Sequence, residues 1–248
     1  MNIESQLEGL SGPLPAGISE GVALGTGLAD GFDFYDSAIG SVVVTFNPEG
    51  VSSVDIADGF EARYAERFGR GLFRAEAPRE WSAHIPPAIE LGTPGSLPLD
   101  LRSVTSFQQQ VLLKTATIPK GEVRPYGWVA REVHRPNAVR AVGSAVARNP
   151  VPLIVPCHRV VRTDGHIGNY SLGGPHNKLE LLEHEGASPD WLEDLADRHI
   201  RVRANPATGI FCHPTCHVIR SVSTPTTDYR SNTDAVAAGL QPCEVCRP

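Results

Sequence analysis

Cys157 stands apart from the other four cysteines of the chain, which all lie between residues 212 and 246. It occurs in NPVPLIVPCHRV (149–160), where the apolar run Leu153-Ile154-Val155 is stopped by Pro156, and His158 follows the thiol directly. A solitary thiol beside an imidazole is the chemistry of an activated nucleophile. The thiolate is the attacking species, and an ordinary thiol, with a pKa of about 8.5, needs a base to form it near neutral pH. The apolar run predicts a buried strand ending at the thiol. In a regular strand His158 would point to the opposite face, so it can serve as base only if Pro156 turns the chain or a water bridges the two groups. The competing reading is a small buried cysteine with a satisfied neighbour, since free cysteine is among the most buried residue types.

The other four cysteines are paired. Cys212-x3-Cys216 and Cys243-x2-Cys246 are separated by 26 residues. Four thiolates in this spacing are the ligands of a tetrahedral zinc ion. The segment around them is too short for a core of its own, so a metal would supply much of its folding energy. One zinc and no organic cofactor are expected.

These groups need elements to position them. SVVVTF (41–46), the turn 47–50 and VSSVDI (51–56) read as strand, turn and strand, with short helices expected around 59–69 and 78–91. Residues 1–30 read as a mobile tail and GTPGSLPLD (92–100) as a linker. Ser106 to Gln109 reads as a capping box opening a helix that ends before Pro119. A helix from Tyr126 to about Val133 and a second from Asn137 to Arg148, broken by His134-Arg135-Pro136, form a predicted helix-turn-helix. In the second helix Ala138, Ala141, Val142, Ala145 and Val146 make one apolar stripe, while Arg140, Gly143, Ser144 and Ala147 form a small-residue face from which a single arginine projects. Asn177 and Glu180 are expected to cap a helix closed by Gly186. Glu185 then lies where the helix dipole disfavours an anion, so it needs another partner.

Charge is distributed unevenly. The chain carries net −6, and residues 1–100 hold 5 basic against 15 acidic side chains. Residues 101–178 reverse this with 11 basic against 3 acidic, an electrostatic footprint for phosphate around the candidate nucleophile.

The segment NPVPLIVPCHRVVRTDGHIGNYSLGG resembles the active-site segment of the O6-alkylguanine-DNA alkyltransferases, whose signature is Pro-Cys-His-Arg-Val followed by Gly168-Asn169-Tyr170-Ser171. The resemblance covers about residues 31–187. It implies irreversible, stoichiometric transfer of a methyl group from guanine O6 in double-stranded alkylated DNA to Cys157, with the nucleotide flipped out of the helix. It assigns a water relay through His158, oriented by the glutamate of His184-Glu185-Gly186. Asn149 matches the residue that shapes the turn around the cysteine. Tyr126 matches the residue that assists nucleotide rotation and contacts the base, and Arg140 the one that fills the vacated space. By the same resemblance the helix bearing Arg140 and Ser144 is expected to lie against DNA. Tyr126, Ser171 and the backbone near Cys157 and Val160 match the donors to the departing base. Arg159 matches an arginine of structural or phosphate-binding role.

GIFCHPTC and AAGLQPCEVCRP resemble the zinc module of the bacterial adaptive-response (Ada) proteins, which implies a possible second methyl acceptor, Cys212, for methylphosphotriesters. Here the module follows the alkyltransferase segment, and Glu244 stands between its last two ligands.

The expected architecture is an α/β N-terminal subdomain (31–95), a mainly helical alkyltransferase domain with helix-turn-helix (96–189), and a small zinc-stapled α/β module (195–248). MNIESQLEGL lacks the start of a secretory signal, no run approaches the roughly 20 apolar residues of a membrane span, and the cysteine pattern fits a cytoplasmic protein. No membrane or obligate protein partner is expected. The rival reading is a methylation-sensing or lesion-recognition DNA-binding protein without turnover, which would have no use for a reactive Cys157.

Overall fold

The computed structural model describes residues 18–248. Residues 1–17 of the expected tail lie outside the described residues, and the remainder of that stretch is ordered: helix α1 spans Ile18–Gly25 and the first strand already begins at Ala29.

The N-terminal unit is a four-stranded sheet of order β3-β2-β1-β4, built from β1 (Ala29–Ser37), β2 (Gly40–Asn47), β3 (Gly50–Ile56) and β4 (Gly71–Arg74). The apolar run in β2 is buried from Val42 to Asn47, as an interior strand covered on both faces requires. Helix α2 (Phe60–Phe68) crosses from β3 to β4; the short helices α3 (Arg79–Ser82) and α4 (Ile85–Leu91) follow. The expected linker 92–100 is instead packed. Leu97 and Asp100 are buried, Val51 donates its amide to Pro98 O at 2.9 Å, and Asp100 accepts from Asn47 Nδ2 at 2.8 Å. A single hydrophobic core therefore runs from Val42 and Val44 through Ile85 and Leu112 to Trp128, Val142 and Ile154.

Three helices lead to the thiol: α5 (Ser106–Thr115), α6 (Tyr126–Glu132) and α7 (Val139–Ala147). The capping box of α5 is shifted by one residue from the sequence expectation. Thr105 is the N-cap and exchanges bonds with Gln108. Helix α7 starts at Val139, two residues later than expected, and buries Val142, Ala145 and Val146, whereas Ala141 is exposed and Ala138 only half-buried.

The two-residue strand β5 (Arg124–Pro125), just before α6, pairs in parallel with β6 (Val160–Val161), just after the thiol; α8 (Pro175–His184) and α9 (Pro189–Asp197) follow. Gly174, not Asn177, is the N-cap of α8. Pro175 opens the helix with its preset φ, and Asn177 turns back to donate to Leu172 O at 3.3 Å.

The C-terminal module contains β7 (Val202–Asn205), β8 (Ile210–Cys212), the one-turn α10 (His217–Arg220), β9 (Thr227–Tyr229), α11 (Asn232–Ala237) and β10 (Gln241–Pro242), with sheet order β10-β8-β7-β9. Its own apolar cluster is small, centred on Val202, Ala204, Phe211, Ala235 and Leu240. Among the described residues no helix is long and apolar enough to cross a membrane.

Candidate active site and metal centre

The residues before Cys157 form a turn rather than the expected strand. Asn149 organises it: its Oδ1 accepts from the Val151 amide at 3.1 Å, and its Nδ2 donates to Val155 O at 2.8 Å and to Cys157 Sγ at 3.2 Å. Leu153, at the tip, takes a positive φ of 71° and is buried, so packing holds a conformation that β-propensity alone would not select. Pro156 ends the turn, and Cys157–Arg159 form a single 3-10 turn leading into β6. That turn removes the strand geometry that would have set His158 on the opposite face.

Cys157 is 2 % exposed and opens onto a cavity of about 190 Å³ lined by Tyr126, Val146, Ala147, Cys157, Asn169, Tyr170 and Ser171. Tyr126 is the first residue of α6, and Val146 and Ala147 end α7. The helix-turn-helix is thus a wall of the cavity, and Arg140, exposed, lies two turns back along α7, about 10 Å along its axis. Arg131, Arg135 and Arg148 are exposed on the same motif. Ser144 is exposed beside Arg140 and donates to its carbonyl. Val160 is not part of the cavity wall. Its side chain is fully buried, its amide is bonded to Cys157 O and its carbonyl is taken by Lys178 Nζ at 2.7 Å.

Behind the thiol lies a buried polar cluster. His158 Nε2 is 2.8 Å from Glu185 Oε1, which joins the two groups that sequence alone pairs only by resemblance. Burial pushes the imidazole pKa below its ordinary value, against the pull of Glu185, so the ring is the neutral form needed in a base. Its Nδ1 is buried without a protein partner. Burial also raises the Cys157 pKa, partly offset by the Asn149 bond and the Lys178 charge; the resting group is a thiol.

Glu185 is the last link of α8 and is 5 % exposed. Burial opposes its charge, but hydrogen bonds from His158 and Arg159 win and hold its pKa at about 2. Arg159 pairs with both carboxylate oxygens, closest at 2.6 Å, and donates to the carbonyls of Leu91, Gly92 and Ile118. Of the two readings of Arg159 this supports the structural one: it is 1 % exposed and its guanidinium is engaged by Glu185 and three carbonyls. Gly92 is obligatory beside it, because a Cβ there would sit 2.3 Å from Arg159 Nη2.

Two groups escaped sequence reasoning. Lys178 reads as a surface residue of an amphipathic helix, yet it is 1 % exposed and its ammonium ties together the carbonyls of Val160, Ile167 and Asn169. Desolvation lowers its pKa to about 8. Tyr170 lies in the Gly-Asn-Tyr-Ser segment and brings a buried hydroxyl, without a hydrogen-bond partner, beside the thiol.

In the C-terminal module, Cys212 on β8, Cys216 before α10, and Cys243 and Cys246 after β10 bring four sulfurs within 4.8 Å of one another, all buried. All are free thiols. Tetrahedral zinc with Zn–S of about 2.3 Å places its sulfurs about 3.8 Å apart, so the donor set fits one zinc ion. The His213 amide donates to Cys246 Sγ at 3.3 Å, the kind of bond that supports a ligating thiolate.

Comparison with known proteins matches this arrangement in two parts. Residues 106–187 fit the family described as 6-O-methylguanine DNA methyltransferase, DNA binding domain, and residues 196–248 fit the metal binding domain of Ada. The methylated-DNA–protein-cysteine methyltransferase of Mycobacterium leprae is 40 % identical over 154 residues, which covers 60 % of this chain and 88 % of that protein. The bifunctional transcriptional activator/DNA repair enzyme Ada of Escherichia coli is 34 % identical over 172 residues, 67 % of this chain but only 48 % of Ada. The crystal structure of Mycobacterium tuberculosis OGT in complex with DNA superposes with a TM-score of 0.52 at 32 % identity, covering 65 % of this chain and 98 % of that one. The fold and site define a protein-cysteine methyltransferase domain joined to a zinc module. The chain belongs to the methylated-DNA–protein-cysteine methyltransferase family.

Proposed function

We propose that the chain repairs double-stranded alkylated DNA by moving a methyl group from guanine O6 to Cys157 Sγ, once per molecule. The observation that carries this reading is a buried thiol at the floor of a cavity walled by a helix-turn-helix, backed by a neutral imidazole held by a carboxylate. An atom inside a base stack is out of reach of a buried thiol, so the nucleotide must swing into the cavity. Exposed Arg131, Arg135, Arg140 and Arg148 hold the phosphates, and Arg140 enters the stack. His158 Nδ1 takes the thiol proton through a water while Glu185 receives the hydrogen bond from Nε2 and stabilises the charge that develops on the ring. The sulfur then attacks the methyl carbon in line, the carbon–oxygen bond breaks, and the electron pair leaves on O6. Tyr126 and Ser171, at the cavity wall, supply hydroxyl donors for the base. The thioether formed has no leaving group for its return, which makes the reaction stoichiometric. Four cysteines in metal-ligand spacing and a fifth that stands alone suit a reducing cytoplasmic setting better than a disulfide framework.

Intact-mass measurement after incubation with O6-methylguanine duplex should show an increase of about 14 Da, one methyl in place of one proton, on Cys157. Cys157→Ser should lose that increase and keep DNA binding. Persistent repair by this variant overturns the assignment.

A second reading concerns Cys212, which the resemblance to the Ada zinc module makes a possible methyl acceptor for phosphotriesters. Cys212 is fully buried on β8, between β7 and β10, and lines none of the cavities described here. DNA containing phosphotriesters but no alkylated base should therefore label it far more slowly than O6-methylguanine labels Cys157. Equal rates would make the module a repair site in its own right.

A further inference from the structure

The zinc module does not hang from the alkyltransferase domain; it grips one segment of it. Residues 121–123, which lead into β5 and Tyr126, are held along their length by residues 215–220, the stretch that carries the ligand Cys216. Thr215 Oγ1 accepts from the Val123 amide at 2.8 Å. Both the amide and Nδ1 of His217 meet Glu122 Oε1, at 2.9 and 2.8 Å. Arg220 Nη1 donates to Gly121 O at 3.0 Å, and its Nη2 to Gly186 O at 3.4 Å. A further contact joins the metal loop to the helix-turn-helix itself: Trp128 Nε1, buried in α6, donates to the carbonyl of the ligand Cys246 at 2.8 Å.

The other face of the same segment touches the chemistry. The Gly121 amide donates to Glu185 Oε2 at 3.1 Å, while Oε1 serves His158. One residue, Gly121, thus lies between the Arg220 guanidinium on its carbonyl and, on its amide, the carboxylate that orients the imidazole. Arg220 also bridges Gly121 to Gly186, the residue after Glu185, and so ties the two chain segments that frame the carboxylate. The approach is close enough to require glycine: Gly121 has φ +74°, and a Cβ there would sit 2.6 Å from Glu185 O. Three residues past the clasped segment, Tyr126 enters the base cavity.

We infer that the zinc module is a positioning element of the alkyl-transfer site, with Arg220 as a positioning residue for Glu185. The metal enters only through this chain's own residues: by drawing Cys216 and Cys246 together it sets where 215–220 and the Cys246 carbonyl stand, and these set Gly121, Glu185 and α6. The inference rests on the activity proposed for Cys157, and its test separates the two.

The test uses the zinc-loaded full chain and its Arg220→Ala and Arg220→Lys variants. Arg220 is exposed apart from its two carbonyl contacts, so truncation leaves the fold and the ligands in place. Three quantities are measured: zinc content, single-turnover alkylation of Cys157 by free O6-alkylguanine and by duplex, and hydrogen exchange of the Gly121 amide. Losing the charge-assisted bonds to Gly121 O and Gly186 O should slow alkylation about fivefold on both substrates. DNA affinity and zinc content should stay unchanged, and the Gly121 amide should exchange faster. Arg220→Lys, which can still reach Gly121 O, should recover most of the rate. Stripping zinc from the wild-type chain should speed exchange over 121–124 without any DNA present. Wild-type rates in Arg220→Ala with unchanged Gly121 exchange overturn the inference, and so does a slowed rate that lysine fails to recover. If the wild-type chain itself leaves Cys157 unmodified, the proposed activity fails, and the exchange measurements still decide the coupling.

Discussion

Glu185→Gln separates the two jobs of this carboxylate. The substitution keeps shape and one acceptor oxygen, but removes the charge facing Arg159 and His158. The Glu185 pKa is about 2 against an ordinary value near 4.5, for a side chain 5 % exposed, so screening by solvent is slight. A shift of that size is worth about 3 kcal/mol of folding stability near neutral pH. The variant also leaves Arg159 charged, buried and held only by three carbonyls, a situation that typically costs about 3–5 kcal/mol. For a chain of 248 residues, about 3 kcal/mol lowers the melting temperature by roughly 6–12 °C. The sequence alone leads one to expect little effect on folding, because the amide keeps the hydrogen bonding; the ion pair with buried Arg159 changes that expectation.

The sign of the pH dependence follows from the same shift. A depressed carboxylate contributes fully above its unfolded value near 4.5, and the contribution is lost as pH falls through about 2. The wild-type melting temperature should therefore fall across that window more steeply than that of the variant. The kinetic effect is read well below the variant's melting temperature, by single-turnover methylation of Cys157 followed by intact mass. A neutral amide cannot stabilise the developing imidazolium, so the rate should drop on the order of 10²-fold. An unchanged melting temperature refutes the ion-pair argument. A lowered melting temperature with an unchanged rate refutes the relay and leaves Glu185 as a structural partner of Arg159.

Two further outcomes are expected. Arg140→Ala should slow repair of duplex DNA far more than transfer from the free alkylated base, because only the duplex needs a nucleotide extruded; equal losses on both would point to a defect in folding. Lys178→Met fills the same space but leaves the carbonyls of Val160, Ile167 and Asn169 without their donor, at a cost on the order of 3 kcal/mol, to be read as a lower denaturant midpoint at unchanged slope; a midpoint equal to wild type would show that the buried ammonium is dispensable.

What was legible in the sequence was whatever is written in adjacent residues. The two cysteine pairs announce a donor set by spacing alone, and the structure brings the zinc ligands within 4.8 Å of one another; Pro-Cys-His-Arg-Val marks its site through its resemblance to the alkyltransferase signature. The strands 41–46 and 51–56 and the two helices of the DNA-binding motif were readable from apolar period and breakers. The run Leu153-Ile154-Val155 was not, because a short apolar run fits a strand as well as a turn. The deciding bonds come from a single side chain, Asn149, reaching across to Val155 and Cys157. Lys178 escaped for a related reason: its helix carries His176, Glu180 and Glu183 on exposed positions, and nothing in the sequence says that three carbonyls from another loop converge on its ammonium.

The grip of the zinc module was out of reach of sequence for a deeper reason. Its bonds to residues 121–128 join positions 92 to 118 apart, Val123 to Thr215 and Trp128 to Cys246 among them. All but one of them have a backbone group as one partner, and a backbone group leaves no mark in residue type. A module with a core as small as Val202, Phe211 and Leu240 has little rigidity of its own beyond what its metal and its docking give it. Rigidity must run both ways across such a contact: whatever orders the cysteine loop also orders 121–124, and through them the carboxylate behind the thiol. An Ada-type module placed after the alkyltransferase domain is thus positioned to act on the base-repair site through Gly121 and Trp128, with no requirement that Cys212 itself ever meet DNA.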